Sequence, residues 1–99
     1  MIEILWEYRV RGDRRDEFES VYASDGRWSQ FFSTDSAYLG TVLMRDVLDG
    51  LRYSTLDRWT SRAAYNSFRD SHAAEYQEID RACADLTTDE RFVGIFEVL

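Results

Sequence analysis

The chain has no proline and no lysine, one cysteine (Cys83) and one histidine (His72). Each shortage removes a class of chemistry or architecture. Without lysine, no mechanism can run through a Schiff-base lysine. A lone cysteine cannot close a disulfide within the chain, and a lone histidine excludes a multi-histidine metal centre in one copy, so any metal would need carboxylate ligands. No proline-rich linker, internal repeat or low-complexity stretch marks a boundary, and 99 residues suffice for one core, so a single domain over residues 1–99 is expected. No apolar run approaches the roughly 20 residues that span a bilayer, and Met1 to Glu7 lacks the basic-then-apolar order of a signal peptide. A cytoplasmic protein without a membrane partner is expected. Basic residues never cluster beyond Arg14-Arg15, and a net charge of −7 with a pI near 4.6 would repel a phosphate backbone, which disfavours nucleic acid as a partner.

Apolar and aromatic residues, by contrast, are plentiful. The chain is 44% apolar and 15% aromatic, which is too rich in core-formers for a disordered segment. Ile2, Ile4, Trp6, Tyr8 and Val10 alternate with Glu3, Leu5, Glu7 and Arg9, the period-two pattern of a strand. From Asp13 the spacing turns helical, with Phe18, Val21 and Tyr22 on one side. Ser24 or Asp25 is placed to cap a short aromatic turn carrying Trp28, Phe31 and Phe32. Strands are expected over 38–45 and about 52–59, joined through the hairpin dipeptide Asp49-Gly50. Thr60 or Ser61 then caps a helix of some seven turns in which Tyr65, Phe68, His72, Tyr76, Ile79, Cys83 and Leu86 recur at steps of three and four. A last strand is expected over 91–99. The order βαββαβ, closed by short right-handed connections, predicts an α+β, ferredoxin-like fold: a four-stranded antiparallel sheet with the helices on one face.

Such a sheet has a second face. Strict alternation gives Ile2, Ile4, Trp6, Tyr8, Val42, Met44, Trp59, Phe92 and Phe96 to the helices, and Leu5, Leu39, Leu43, Leu56, Val93, Ile95 and Leu99 to the opposite side. The second set would form a larger apolar patch than most monomers expose, so a homodimer through that face is expected. Glu7, Arg9, Arg45 and Arg58 share this face and need partners there, with Glu7–Arg58 the expected pair.

On the helix side, His72 lies in the apolar stripe of the long helix and Asp57 points the same way from its strand. Placed side by side, the two would give an imidazole of raised proton affinity able to act as a base. A core histidine held by one hydrogen bond fits the same pattern, and Asp57 could equally cap an amide or pair with an arginine. Tyr8, Tyr53, Trp59, Tyr65, Phe68 and Tyr76, together with Trp6, converge on this space and suit a flat phenolic or polycyclic ligand. Ordinary core packing is the alternative, more comfortable for Phe68 than for tyrosines whose hydroxyls need partners. No phosphate-cradling glycine loop, nucleophile elbow or metal-spaced Cys/His cluster is present.

Tyr38-Leu39-Gly40-Thr41, followed by Arg52 to Tyr65 with its strand ending in Trp59, its Ser61-x-x-Ala64-aromatic helix start and Phe68 and His72 beyond, resembles the antibiotic biosynthesis monooxygenase domain family. The resemblance covers nearly the whole chain. It implies a ferredoxin-like dimer whose two sheets face each other as a dimeric α+β barrel. It also implies oxidation of an aromatic, polyketide- or quinol-like small molecule by molecular oxygen without metal or flavin. His72 or Asp57 would then assist deprotonation, and the tyrosines and Trp59 would line the site. Haem-degrading relatives carry an iron-ligating histidine further along the second helix, where this chain has Tyr76, Gln77 and Glu78, a departure that argues against haem. A non-catalytic small-molecule-binding or stress-related dimer of the same fold is the alternative.

Overall fold

The computed structural model describes residues 1–99. Four strands, β1 (Ile2–Val10), β2 (Tyr38–Arg45), β3 (Arg52–Trp59) and β4 (Thr87–Glu97), form an antiparallel sheet in the order β2-β3-β1-β4. Between β1 and β2 come a 3-10 turn (Gly12–Arg14) and helices α1 (Arg15–Tyr22) and α2 (Arg27–Phe32). Between β3 and β4 come α3 (Arg62–Ser71), α4 (Ala73–Cys83) and a 3-10 turn (Ala84–Leu86). This is the expected α+β ferredoxin-like arrangement. Its core joins Ile2, Ile4, Tyr8 and Val10 of β1 and Tyr53 and Trp59 of β3 to Phe18, Tyr22, Trp28, Phe31, Phe32, Phe68, Ile79 and Leu86 from the helical side.

The two edge strands break strict alternation. In β2, Tyr38 faces Trp59 but Gly40 faces Arg58, so Leu39 is an inserted residue, and Gly40 takes φ +126°, a conformation that favours glycine. Everything beyond the bulge changes face. Thr41 and Leu43 point to the helices, while Val42 and Met44 are 54% and 41% exposed on the outer side, the reverse of the expected assignment. In β4 the pairing skips Val93, with Leu5 opposite Gly94 and Trp6 opposite Phe92. Ile95 therefore packs on the core, and Phe96, opposite Glu3, lies outside at 52% exposure.

Other expectations are corrected by local chemistry. The β2–β3 connection is a six-residue loop over 46–51, in which the Asp46 and Asp49 carboxylates accept from the Leu48 and Leu51 amides at 2.8 and 3.1 Å. Gly26, not Ser24 or Asp25, starts α2, and its side chain of hydrogen is required: a Cβ would lie 2.3 Å from the Val21 carbonyl oxygen. Ser61 does cap α3, accepting from the Ala64 amide at 3.1 Å. The long helix, however, breaks at His72 (φ −121°, ψ 29°). β4 begins at Thr87, four residues before the expected start. Glu7 pairs with Arg52 and Arg91, and Arg58 pairs with Glu3 at 3.0 Å, because the β1–β3 register puts Arg58 opposite Glu3.

Candidate functional site

The β3 residues Tyr53, Thr55, Asp57 and Trp59 alternate onto the helix side, and Asp57 is the one ionisable group among them that meets an opening in the core. The opening is lined by Trp6, Tyr8, Thr41, Thr55 and Asp57 from the sheet, with Tyr22, Trp28, Phe32, Tyr76 and Asp80 from the helices and Glu90 from β4. Its interior volume is about 30 Å³, room for a water or two but not for an aromatic ring in this arrangement. Trp6 and Tyr76, half-buried, and the exposed Glu90 lie on its less covered side, and the walls must part for a larger molecule to enter.

Asp57 Oδ1 accepts from Thr41 Oγ1 at 2.5 Å, and no protein group donates to Oδ2. Burial pushes the carboxyl up from the usual 3.8 to about 6, against the Thr41 hydrogen bond, which lowers it. Thr41 in turn meets the Tyr38 hydroxyl, which reaches Ser29 Oγ at 3.1 Å, and Ser29 donates to the Ala23 carbonyl at 3.2 Å. Each hydroxyl has a single proton to give. A protonated Asp57 lets the whole row donate in one direction, from Asp57 through Thr41, Tyr38 and Ser29 to Ala23. An ionised Asp57 draws the Thr41 and Tyr38 protons toward itself instead. Across the opening, Tyr8 and Thr55 share a hydrogen bond of 3.1 Å, and burial raises Tyr8, Tyr22 and Tyr76 well above the usual phenol range, so all three stay neutral donors at physiological pH.

Of the residues expected to carry the site, the structure brings Asp57, Tyr8, Tyr76 and Trp6 together and leaves the others outside it. His72 is half-buried, its ring stacked on Phe68 at 4.3 Å and set edge-on to Phe31 at 6.1 Å, with Nδ1 3.1 Å from the Phe68 carbonyl. It does not line the opening and makes no hydrogen bond to Asp57; one turn after Phe68, it stacks on that ring instead. Tyr53 lies at the other end of β3, bonded to Glu19 and accepting from Arg15 at 3.2 Å. Tyr65 accepts from the Arg69 guanidinium at 2.8 Å and packs on Trp59. Trp59 and Phe68 are closed into the core, although the Trp59 indole Nε1 is buried there without an acceptor. Thr41, Thr55, Tyr22, Trp28, Phe32, Asp80 and Glu90 are site residues that sequence reasoning missed. The bulge hid Thr41, the aromatic density of 28–32 was the signal for Trp28, and nothing in the spacing singles out the two acids.

The antibiotic biosynthesis monooxygenase family matches residues 1–80, and the chain belongs to that family. Among solved structures it is similar to SnoaB, a cofactor-independent oxygenase from Streptomyces nogalater, at 22% identity over 99% of this chain and 92% of that one, with a TM-score of 0.77. It is also similar to proposed antibiotic biosynthesis monooxygenases from Nitrosomonas europaea (15% identity, 100% and 99% covered, TM-score 0.75) and Deinococcus radiodurans (11%, 99% and 92%, TM-score 0.78). At these identities the likeness is one of fold. No curated protein matches the chain.

Proposed function

We propose that this chain is a cofactor-independent monooxygenase acting on an electron-rich aromatic small molecule, working as a homodimer. The observation that carries the reading is Asp57: a carboxyl with a free oxygen, held in an aromatic-walled opening with its proton affinity raised to about 6. A base so poised is mostly ionised at neutral pH and takes a proton efficiently from an activated carbon or phenol. The Tyr8–Thr55 pair, which uses only one of its two hydroxyl protons for its own hydrogen bond, supplies a neutral donor for the anion that results. Molecular oxygen then converts the activated CH₂ to C=O. One oxygen atom stays in the product, the other leaves as water, and the substrate provides all four electrons. Family membership and the likeness to SnoaB support this chemistry. Of the two candidate bases, His72 is set aside because its ring meets Phe68 and Phe31 instead of the opening.

The test is oxygen uptake with an anthrone-type substrate in metal-free buffer. Asp57→Asn should lose about 10²-fold or more, the usual contribution of a positioned base, while His72→Ala keeps most of the rate. The unsubstituted protein should gain activity as pH rises through about 6, where Asp57 ionises. Equal rates in Asp57→Asn and the unsubstituted protein would overturn the assignment.

A further inference from the structure

The charge around the opening narrows the class of ligand, an inference that rests on reading this opening as the substrate site. Three carboxylates line it. Asp57 is the most shielded, and Asp80 and Glu90 are exposed at the rim. No arginine or histidine joins them in the lining. That imbalance is local, because elsewhere seven arginines form eight ion pairs with Glu3, Glu7, Glu17, Glu19, Asp46 and Asp49, none of which reaches Asp57, Asp80 or Glu90. Partial desolvation of its carboxyl and the facing charge of Asp80 both raise the proton affinity of Glu90. Nor do the three converge closely enough to hold a metal ion.

The walls point the same way. Trp6, Trp28 and Tyr76 stand in the wall, and aromatic rings attract cations. Tyr76 already holds one, the Arg69 guanidinium 3.6 Å from its ring centre. Trp28 is only 9% exposed, yet its Nε1 has no acceptor at hydrogen-bonding geometry, although the Tyr22 hydroxyl and Cys83 thiol are its neighbours. A buried donor without a partner is costly unless something else supplies the oxygen.

We propose that the ligand of this opening is an aromatic molecule carrying a protonated amine, with the ammonium held at the rim by Asp80 and Glu90 and the oxygenated ring against Trp28 and Tyr76. An ammonium within the substrate also offsets the negative charge that deprotonation by Asp57 creates, which a purely anionic intermediate among three acids would lack.

Three phenols that differ only at the end of a short chain separate the possibilities: tyramine (ammonium), tyrosol (alcohol) and 4-hydroxyphenylacetate (carboxylate). Each is titrated into ¹⁵N-labelled protein while the Trp28 indole N–H resonance is followed. Tyramine should bind about tenfold tighter than tyrosol, the size of one partly desolvated cation contact, with the carboxylate weakest. The Asp80→Asn/Glu90→Gln variant should bind tyramine and tyrosol alike. Tyrosol or the carboxylate matching tyramine in the unsubstituted protein, or a tyramine preference that survives in the variant, would overturn the amine while leaving the opening as a site. If none of the three shifts Trp28, the site reading fails with it.

Discussion

At the scale of single residues, Asp57 couples stability to pH. Its folded-state pKa, about 6, lies above the ordinary 3.8, so the folded chain holds the proton more tightly than the unfolded one. Its stabilising contribution is therefore complete below 3.8 and is lost as pH rises through about 6, leaving a shielded carboxylate as a cost. A rise of that size corresponds to about 3 kcal/mol for a fully buried group, and access of water through the opening brings it to roughly 1–2 kcal/mol. Asp57→Asn keeps an acceptor for Thr41 but has no proton to titrate. Urea unfolding of the two proteins from about pH 4 to pH 7.5 should show the variant gaining roughly 1–2 kcal/mol relative to the unsubstituted chain. Parallel stability curves would show that Asp57 titrates normally. The position of Asp57 was legible in the sequence because β3 is regular and its odd residues all turn to the helices. Its environment was not. His72 stacks one turn back on Phe68 instead of reaching Asp57, and residue spacing alone does not decide between those two neighbours.

At the scale of elements, the residues that misled sequence reading are the ones that interrupt regular pairing. A bulge adds one residue to a strand and reverses the facing of all that follow, while composition and hydropathy hardly change. Leu39-Gly40 and Val93-Gly94 read as ordinary strand, so strict alternation sends Leu43 and Ile95 outward and Val42, Met44 and Phe96 inward. The central strands β1 and β3, paired on both sides, keep an unbroken register with each other and so follow strict alternation. Glycines mark two of the constraints, and they differ in kind. At Gly26 an added Cβ would meet the Val21 and Ser20 carbonyl oxygens at 2.3 and 2.6 Å, backbone atoms that cannot swing away. At Gly40 nothing lies within 4 Å, and only the φ of +126° resists a side chain. Gly26→Ala should therefore force the α1–α2 connection apart and shift Trp28 and Phe32, destabilising the protein by about 2–3 kcal/mol. Thermal unfolding measures the loss, and the Trp28 indole resonance should move with it. An alanine variant as stable as the original, with Trp28 unmoved, would mean the connection relaxes freely.

At the scale of the whole molecule, the corrected facings give the outer side of the sheet a clear layout. Gly94, Leu5, Leu56 and Val42 face one another in a row across all four strands, with Met44 and Phe96 to either side and Leu39 exposed at the bulge. The charges flanking the row are already matched within the chain, Glu3 with Arg58 and Glu7 with Arg52 and Arg91. A second copy could therefore cover the apolar row without stranding an unpaired ion, which is the main cost of burying charge at an interface. Each large aliphatic side chain removed from water there contributes about 1.5–3 kcal/mol, and a two-fold arrangement uses every one twice. The chain should therefore sediment at micromolar concentration with twice its 11.7 kDa mass. Leu56→Glu puts a charge at the centre of the row, on the side away from the core, so the fold should persist while association weakens by about 10²-fold or more, the value of losing one central contact. Circular dichroism checks the fold and sedimentation the mass. An unsubstituted chain that stays monomeric, or a folded Leu56→Glu variant that stays dimeric, would place the association elsewhere or remove it.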